Sequence, residues 1–308
     1  MDHDREQASK PQSLVGDTRL TDLPSGAIFE VAKGLTTDDP VETAKNLTSF
    51  KLISRSVLDA VQTGPVGAFQ GRLNRLGTSG RALYDAADPH SAEPEPDHPI
   101  SLLWTAARKL DAIGPIFKFQ SDRRKSATVD HILDLSRRGL NPDAIQSIAA
   151  RLGDLDHVNR RRLIDQTIEL FKENRPSWYV NSLEHKLAAA TLISVHHYLD
   201  ADHKIRIYDA LIARPELAEI LGGMAEHVAP FQKDSTSRNT ETPQSSELDG
   251  SIEAISKSSC ELLANRGIDE TERLDAILEI GKSIDKAYND ARAALLGSVR
   301  SRGTNLGR

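Results

Sequence analysis

Apolar residues recur along this chain at helical spacing, in short runs separated by polar or Pro-rich breaks. Behind Pro24, which suits a first helical turn, Leu23, Ile28, Val31 and Leu35 predict an amphipathic helix. The acidic turn "TTDDP" follows, then a second run of Val41, Leu47, Phe50, Ile53, Val57 and Val61, giving a three-helix unit over 21–62. Residues 1–20 are polar, without periodicity, and read as disordered. Between Pro65 and Ala87 a weaker helix is broken by "GTSG", and four prolines make 88–99 a stiff linker, so that 63–99 separates two domains. Helices then succeed one another over 100–231, one of them opened by Asn141 and Pro142. Leu155-Asp156 aligns with Leu199-Asp200, Arg162 with Arg206, Asp165 with Asp209 and Ile168 with Ile212, a repeat offset of 44 positions that suits stacked helical pairs. A Ser/Thr-rich linker (232–250) leads to a helical hairpin (251–297) with Gly267 at its first helix end and Asp269 and Glu272 opening its second helix. Residues 298–308 are basic and aperiodic, and read as a disordered tail. Strand-like alternation is scarce, so the expected fold is all-α.

The 308 residues suffice for one or two domains with a sizeable core. A formal net charge of −6 argues against a dedicated nucleic-acid or anionic-membrane binder. The single cysteine, Cys260, leaves no internal disulfide framework and suits a reducing compartment. The polar N-terminus has no secretory signal pattern, and no apolar stretch is long enough to span a bilayer.

A unit as small as 21–62 cannot bury two apolar runs by itself, and unburied faces on so small a module point to a partner. The pattern resembles an F-box. Leu23-Pro24 stands at its start, Val31 and Leu35 lie eight and twelve residues after Leu23, and Ile53-Ser54-Arg55 takes the place of the closing Val-Ser-Lys/Arg triplet. The middle, "TTDDPVETAKNLTSF", is longer than in that family, and the aromatic after the triplet is absent. "LPSGAIFEVAKGL" with "DAVQTGPVGAFQGRL", and "AYNDARAALLGSVRSRG" near the end, resemble the VirF group of agrobacterial F-box virulence effectors over 21–85 and 284–308. For the long stretch between them there is no such resemblance. The likeness implies a protein made in the bacterial cytoplasm, exported through a type IV channel into plant cells and reaching the host nucleus. There its F-box would bind a host Skp-type adaptor and, through it, a cullin ubiquitin ligase. Its targets would be the coat proteins of the transferred DNA and an associated host transcription factor. On that reading the partner-binding residues are Leu23, Pro24, Ile28, Val31, Leu35, Val41, Leu47, Phe50, Ile53 and Val57, and the 100–231 domain recruits the target.

The exported family carries an arginine-rich terminal signal read by the bacterial coupling machinery. Arg292, Arg300 and Arg302 match its first three positions, the fourth falls on Thr304, and Arg308 follows. An extended cationic tail can be captured by an acidic surface without folding.

Catalytic patterns are weaker. His196, His197, Asp200, Asp202 and His203 would give a metal-dependent hydrolase its ligands, yet a helix end followed by a capped helix start accounts for all five. The triplets Arg123-Arg124-Lys125 and Arg160-Arg161-Arg162 read as solvated helix faces, and Trp104 and Trp178 as core. No phosphate-binding glycine loop occurs, and Cys260 has no evident His partner. The expectation is therefore a non-enzymatic adaptor without metal or cofactor. The alternative is a helical-repeat scaffold with no F-box.

Overall fold

The computed structural model describes residues 24–91, 99–137, 143–172, 181–233 and 245–297, and within them every regular element is a helix. The first four are α1 (Ser25–Gly34), α2 (Pro40–Lys51), α3 (Arg55–Gln62) and α4 (Pro65–Ala87). Then come α5 (Pro99–Ile113), α6 (Asp122–Arg137), α7 (Asp143–Ala149), α8 (His157–Lys172), α9 (Asn181–Ser194), α10 (Ala201–Ala213) and α11 (Glu216–Lys233). The last two are α12 (Ser245–Ala264) and α13 (Glu270–Gly297). The predicted all-α fold is what forms.

Two bodies of helices share one continuous core. The base is made from both ends of the chain: α1 to α3 lean on α4, and α4 packs on α12 and α13, which also pack on each other. α4 is unbroken through "GTSG", and it is not a weak helix: Phe69, Leu73, Leu76 and Leu83 are all buried. An added Cβ on Gly80 would make an ordinary contact with Phe119 at 3.4 Å, whereas one on Gly281 of α13 would stand only 3.2 Å from Ile116. The two helices can thus close on the 3₁₀ turn Gly114–Phe119, whose six residues are all buried between them.

The second body is a stack. α5, α7, α9 and α11 form one layer and α6, α8 and α10 the other, with α5 seated on α13. Each pair is joined in the same way. A 3₁₀ turn (Gly114–Phe119, Leu152–Asp154, His196–Tyr198) is followed by a residue in extended conformation, then by a capping side chain. The caps are Ser121, accepting from Arg124 N at 3.4 Å, Asp156, accepting from Asn159 N at 2.8 Å, and Asp200, accepting from His203 N at 2.9 Å. Each satisfies an otherwise orphaned N–H of the new helix. The 44-residue offset is therefore a structural repeat, and α5–α6 adds an earlier copy.

Several predicted boundaries shift. The linker 232–250 shortens at both ends, since α11 runs to Lys233 and α12 starts at Ser245. The start of α12 is tied down by Arg72, whose Nε and Nη2 donate to Asp249 at 2.9 and 2.8 Å. Gly267 does not take a left-handed C′ conformation; α12 ends at Ala264, and Gly267 N donates to Asn265 Oδ1 at 3.1 Å. Asp88, with φ of 42°, ends α4 instead. Asn141, Pro142 and Trp178 lie outside the described residues.

Candidate functional site

In the α1–α3 unit, Asp39 opens α2: its Oδ1 accepts from Val41 N at 2.7 Å and Glu42 N at 3.0 Å, while its Oδ2 meets the buried Lys125 Nζ at 3.2 Å. Ser54, the middle of the Ile-Ser-Arg triplet, caps α3 by accepting from Val57 N at 3.2 Å. The triplet thus has a local task, which is to stop one helix and start the next.

The ten candidate contact residues divide by burial. Ile28, Leu47, Phe50 and Val57 are buried in the chain's own core and are not available to a partner in this arrangement. The reason is that α4, and for α2 also the 3₁₀ turn Gly114–Phe119, close over faces that a free three-helix unit would expose. Leu35 and Val41 are half-buried. Pro24 is exposed, Val31 is 39% exposed and Ile53 53% exposed. Leu23 lies outside the described residues. Among the described residues Leu52, beside Ile53 in the turn after α2, is the most exposed large apolar side chain, at 83%. Sequence reasoning passed over it because it falls off the helical stripe. What signals it is the pair of adjacent apolar residues directly before a capping serine.

The turn between α1 and α2 is held from the far end of the chain. Tyr288 on α13 donates its hydroxyl to Thr37 O at 2.7 Å and lies 3.2 Å from Thr43 Oγ1. Burial pushes its pKa up to about 12. Arg292, matched above to the first arginine of the export signal, belongs to the folded helix: its Nη1 pairs with Asp38. Its register on α13, one residue after the buried Ala291 and three before the buried Leu295, brings it there. Arg300, Arg302 and Arg308 lie outside the described residues.

A cleft of about 490 Å³ opens between the starts of α4 and α12 and the end of α13, lined by Gly64, Pro65, Phe69, Arg72 and Leu295. Its one strong donor, Arg72, is already engaged by Asp249 and by Ser245 O at 3.2 Å.

The histidine-rich run acts as punctuation. His196 Nδ1 lies 2.9 Å from Ile193 O, and the His197 ring sits tilted against Tyr198 with centroids 3.9 Å apart. The buried His203 accepts on Nδ1 from Asp200 N at 3.3 Å, closing a reciprocal cap at the start of α10. Asp202 pairs with Arg161 at 3.1 Å. Among the described residues no group of three or more His, Cys, Asp or Glu is placed to hold a metal ion. Nor, among them, is any helix long and apolar enough to cross a membrane. Cys260 is exposed on α12 rather than packed in a core.

Compared with known proteins, the chain is similar to "Virulence protein F" of Agrobacterium tumefaciens (strain 15955), with 41% identity over 69 residues. The match covers 22% of this chain and 34% of that protein, so the chain spans about a third of the length of the curated relative it matches. The likeness supports a link to virulence proteins. No family model matches, and no solved structure matches.

Proposed function

We propose that this chain is a bacterial virulence effector of the adaptor kind. On this reading type IV secretion exports it into plant cells, and α1–α3 act as an F-box for a host Skp-type adaptor. The helical stack presents the target to the cullin ligase so recruited. The targets would be the coat proteins of the transferred DNA with their associated transcription factor, met in the host nucleus and sent to the proteasome. The chain then needs no catalytic group, because ubiquitin transfer follows from holding target and ligase together. The similarity to Virulence protein F carries the reading. Supporting it, Val31, Leu52 and Ile53 leave apolar surface uncovered on a unit whose Ile28, Leu47, Phe50 and Val57 are packed inward.

Calorimetry of the purified chain against a plant Skp-type adaptor tests this. The parent is expected to bind, and Leu52→Asp with Ile53→Asp to weaken binding at least about 30-fold, the loss of roughly 2 kcal/mol typical of a central apolar anchor. Both side chains are exposed, so thermal unfolding should be unchanged. If the parent does not bind, the second reading takes over: a helical-repeat scaffold in which Ile28, Leu47, Phe50 and Val57 simply close the base.

A further inference from the structure

The second layer of the stack is held together by a repeating ion pair. Asp130 is the ninth residue of α6, Asp165 the ninth of α8 and Asp209 the ninth of α10. Arg162 and Arg206 are the sixth residues of α8 and α10. Arg162 reaches back to Asp130 at 2.6 Å, and Arg206 reaches back to Asp165 and, at 2.9 Å, to Glu169. Each helix therefore offers an aspartate to the arginine of the next. On α10 the offer is not taken up. Asp209 is exposed and carries no ion pair among the described residues.

The apolar positions stop in the same way. The eighth residue of these helices is Val129, Ile164 and then Tyr208, and the twelfth is Leu133, Ile168 and then Ile212. The first two of each series are 0–5% exposed, whereas Tyr208 is 64% and Ile212 63% exposed, with Ile205 beside them at 59%. A repeat array ordinarily ends in a polar capping face. This one ends in a face with the chemistry of its own interior.

We infer that the outer face of α10 is a docking site for an amphipathic helix of another protein. That helix would run parallel to α10, place an arginine on Asp209 and cover Ile205, Tyr208 and Ile212. The chain does not cover this face with its own next helix, because α12 is packed on α4 and α13. Residues 234–244, "DSTSRNTETPQ", contain nothing apolar to cover it with. A second copy fits less well. The ladder runs between parallel helices, as shown by Arg161 with Asp202 and Arg206 with Asp165, whereas a two-fold pair would set this face against itself, with each copy's Arg206 already engaged by its own Asp165 and Glu169 and so not offered to the other's Asp209. The inference goes beyond the adaptor reading and does not depend on it.

The probe is a helix-stapled, fluorescein-labelled peptide of residues 199–214, whose Arg206 sits at the ladder position. Anisotropy on the purified full-length chain, with no adaptor present, should show saturable binding. Asp209→Arg in the chain should weaken it at least about tenfold, and an Arg206→Asp peptide should restore binding to that variant. Ile212→Asp should abolish binding with an unchanged unfolding temperature, since the residue is exposed. Binding indifferent to Asp209→Arg, or no binding up to about 1 mM peptide, would overturn the inference. So would sedimentation showing a dimer of the parent that Tyr208→Asp dissociates, which would give the face to a second copy.

Discussion

Tyr288→Phe isolates the tie between the two ends of the chain. The Tyr288 ring is fully buried, edge-on to Phe119 at 5.7 Å between centroids and 6.3 Å from Phe69, with Lys118 Nζ 4.8 Å above it. Phenylalanine keeps that ring, so no cavity opens and the apolar packing is retained. What goes is the hydroxyl, with its 2.7 Å bond to Thr37 O and its contact with Thr43 Oγ1. Thr43 Oγ1 already accepts from Thr37 N at 2.8 Å and lies 3.3 Å from Thr37 O, so the carbonyl is not wholly orphaned. The cost should therefore be about 1–2 kcal/mol, within the range for losing one partner of a buried hydrogen bond. Denaturant titration should show it as a shifted midpoint with an unchanged slope. The same group adds a pH signature. With the folded pKa raised to about 12 against an ordinary value near 10, the folded state holds its proton longer than the unfolded one. Its contribution is complete below pH 10 and is lost as pH rises toward 12, by an amount on the order of 2–3 kcal/mol. The parent should accordingly lose more stability than Tyr288→Phe between pH 9 and 11. Equal stability at pH 7 together with parallel alkaline profiles would refute the argument that this hydroxyl fastens α13 to the α1–α2 turn.

Gly281→Ala should destabilise the chain by about 1 kcal/mol. The added Cβ would stand 3.2 Å from Ile116 and 3.3 Å from Pro115, and this overpacking outweighs the helix-propensity gain of roughly 1 kcal/mol; a higher unfolding temperature would contradict it. Arg72→Ala should cost about 1–2 kcal/mol and speed amide exchange at the start of α12, because it removes both bonds to Asp249 and the anchor at Ser245. Unchanged exchange there would place the hold on α12 elsewhere.

Local pattern carried the helices, and chemistry with a local cause was readable. Asp200 and His203 form a reciprocal cap because their spacing spans one helical turn, and the sequence showed that spacing. The repeat of 44 was legible because Leu-Asp precedes both helices. The earlier copy was not, since its cap is Ser121 and its offset is shorter. Burial was the harder quantity. Val31 and Ile28 lie on one predicted stripe, yet one is exposed and the other sealed, because α3 and α4 cover only part of α1. The "GTSG" stretch reads as a break by propensity, and burial of Leu73, Leu76 and Leu83 on either side of it overrides that. Nothing local could announce Tyr288 on Thr37, a pairing across 251 positions.

That pairing also bears on how the chain is put together. Tyr288 and Arg292 stand far from Thr37 and Asp38 in sequence, and in the fold they meet. The stack leaves the base after α4 and the chain returns to it at α12, so α5–α11 form an insertion into a unit closed by its own two ends. An insertion of this kind needs a firm seat if it is to hold a target in a fixed position. The seat is present: Arg108 and Lys109 of α5 pair with Asp275 and Glu270 of α13 at 2.9 and 3.1 Å, and Lys125 of α6 reaches Asp39. Lys125 is buried, and so is Lys109, which removes their two pairs from the weak class of fully exposed ion pairs, to which Arg108–Asp275 belongs. For the proposed adaptor, this coupling matters more than the affinity of either end. A target helix on α10 and a ligase on α1–α3 would be held in one geometry, and on that proposal proximity of this kind would be the chain's contribution to the transfer.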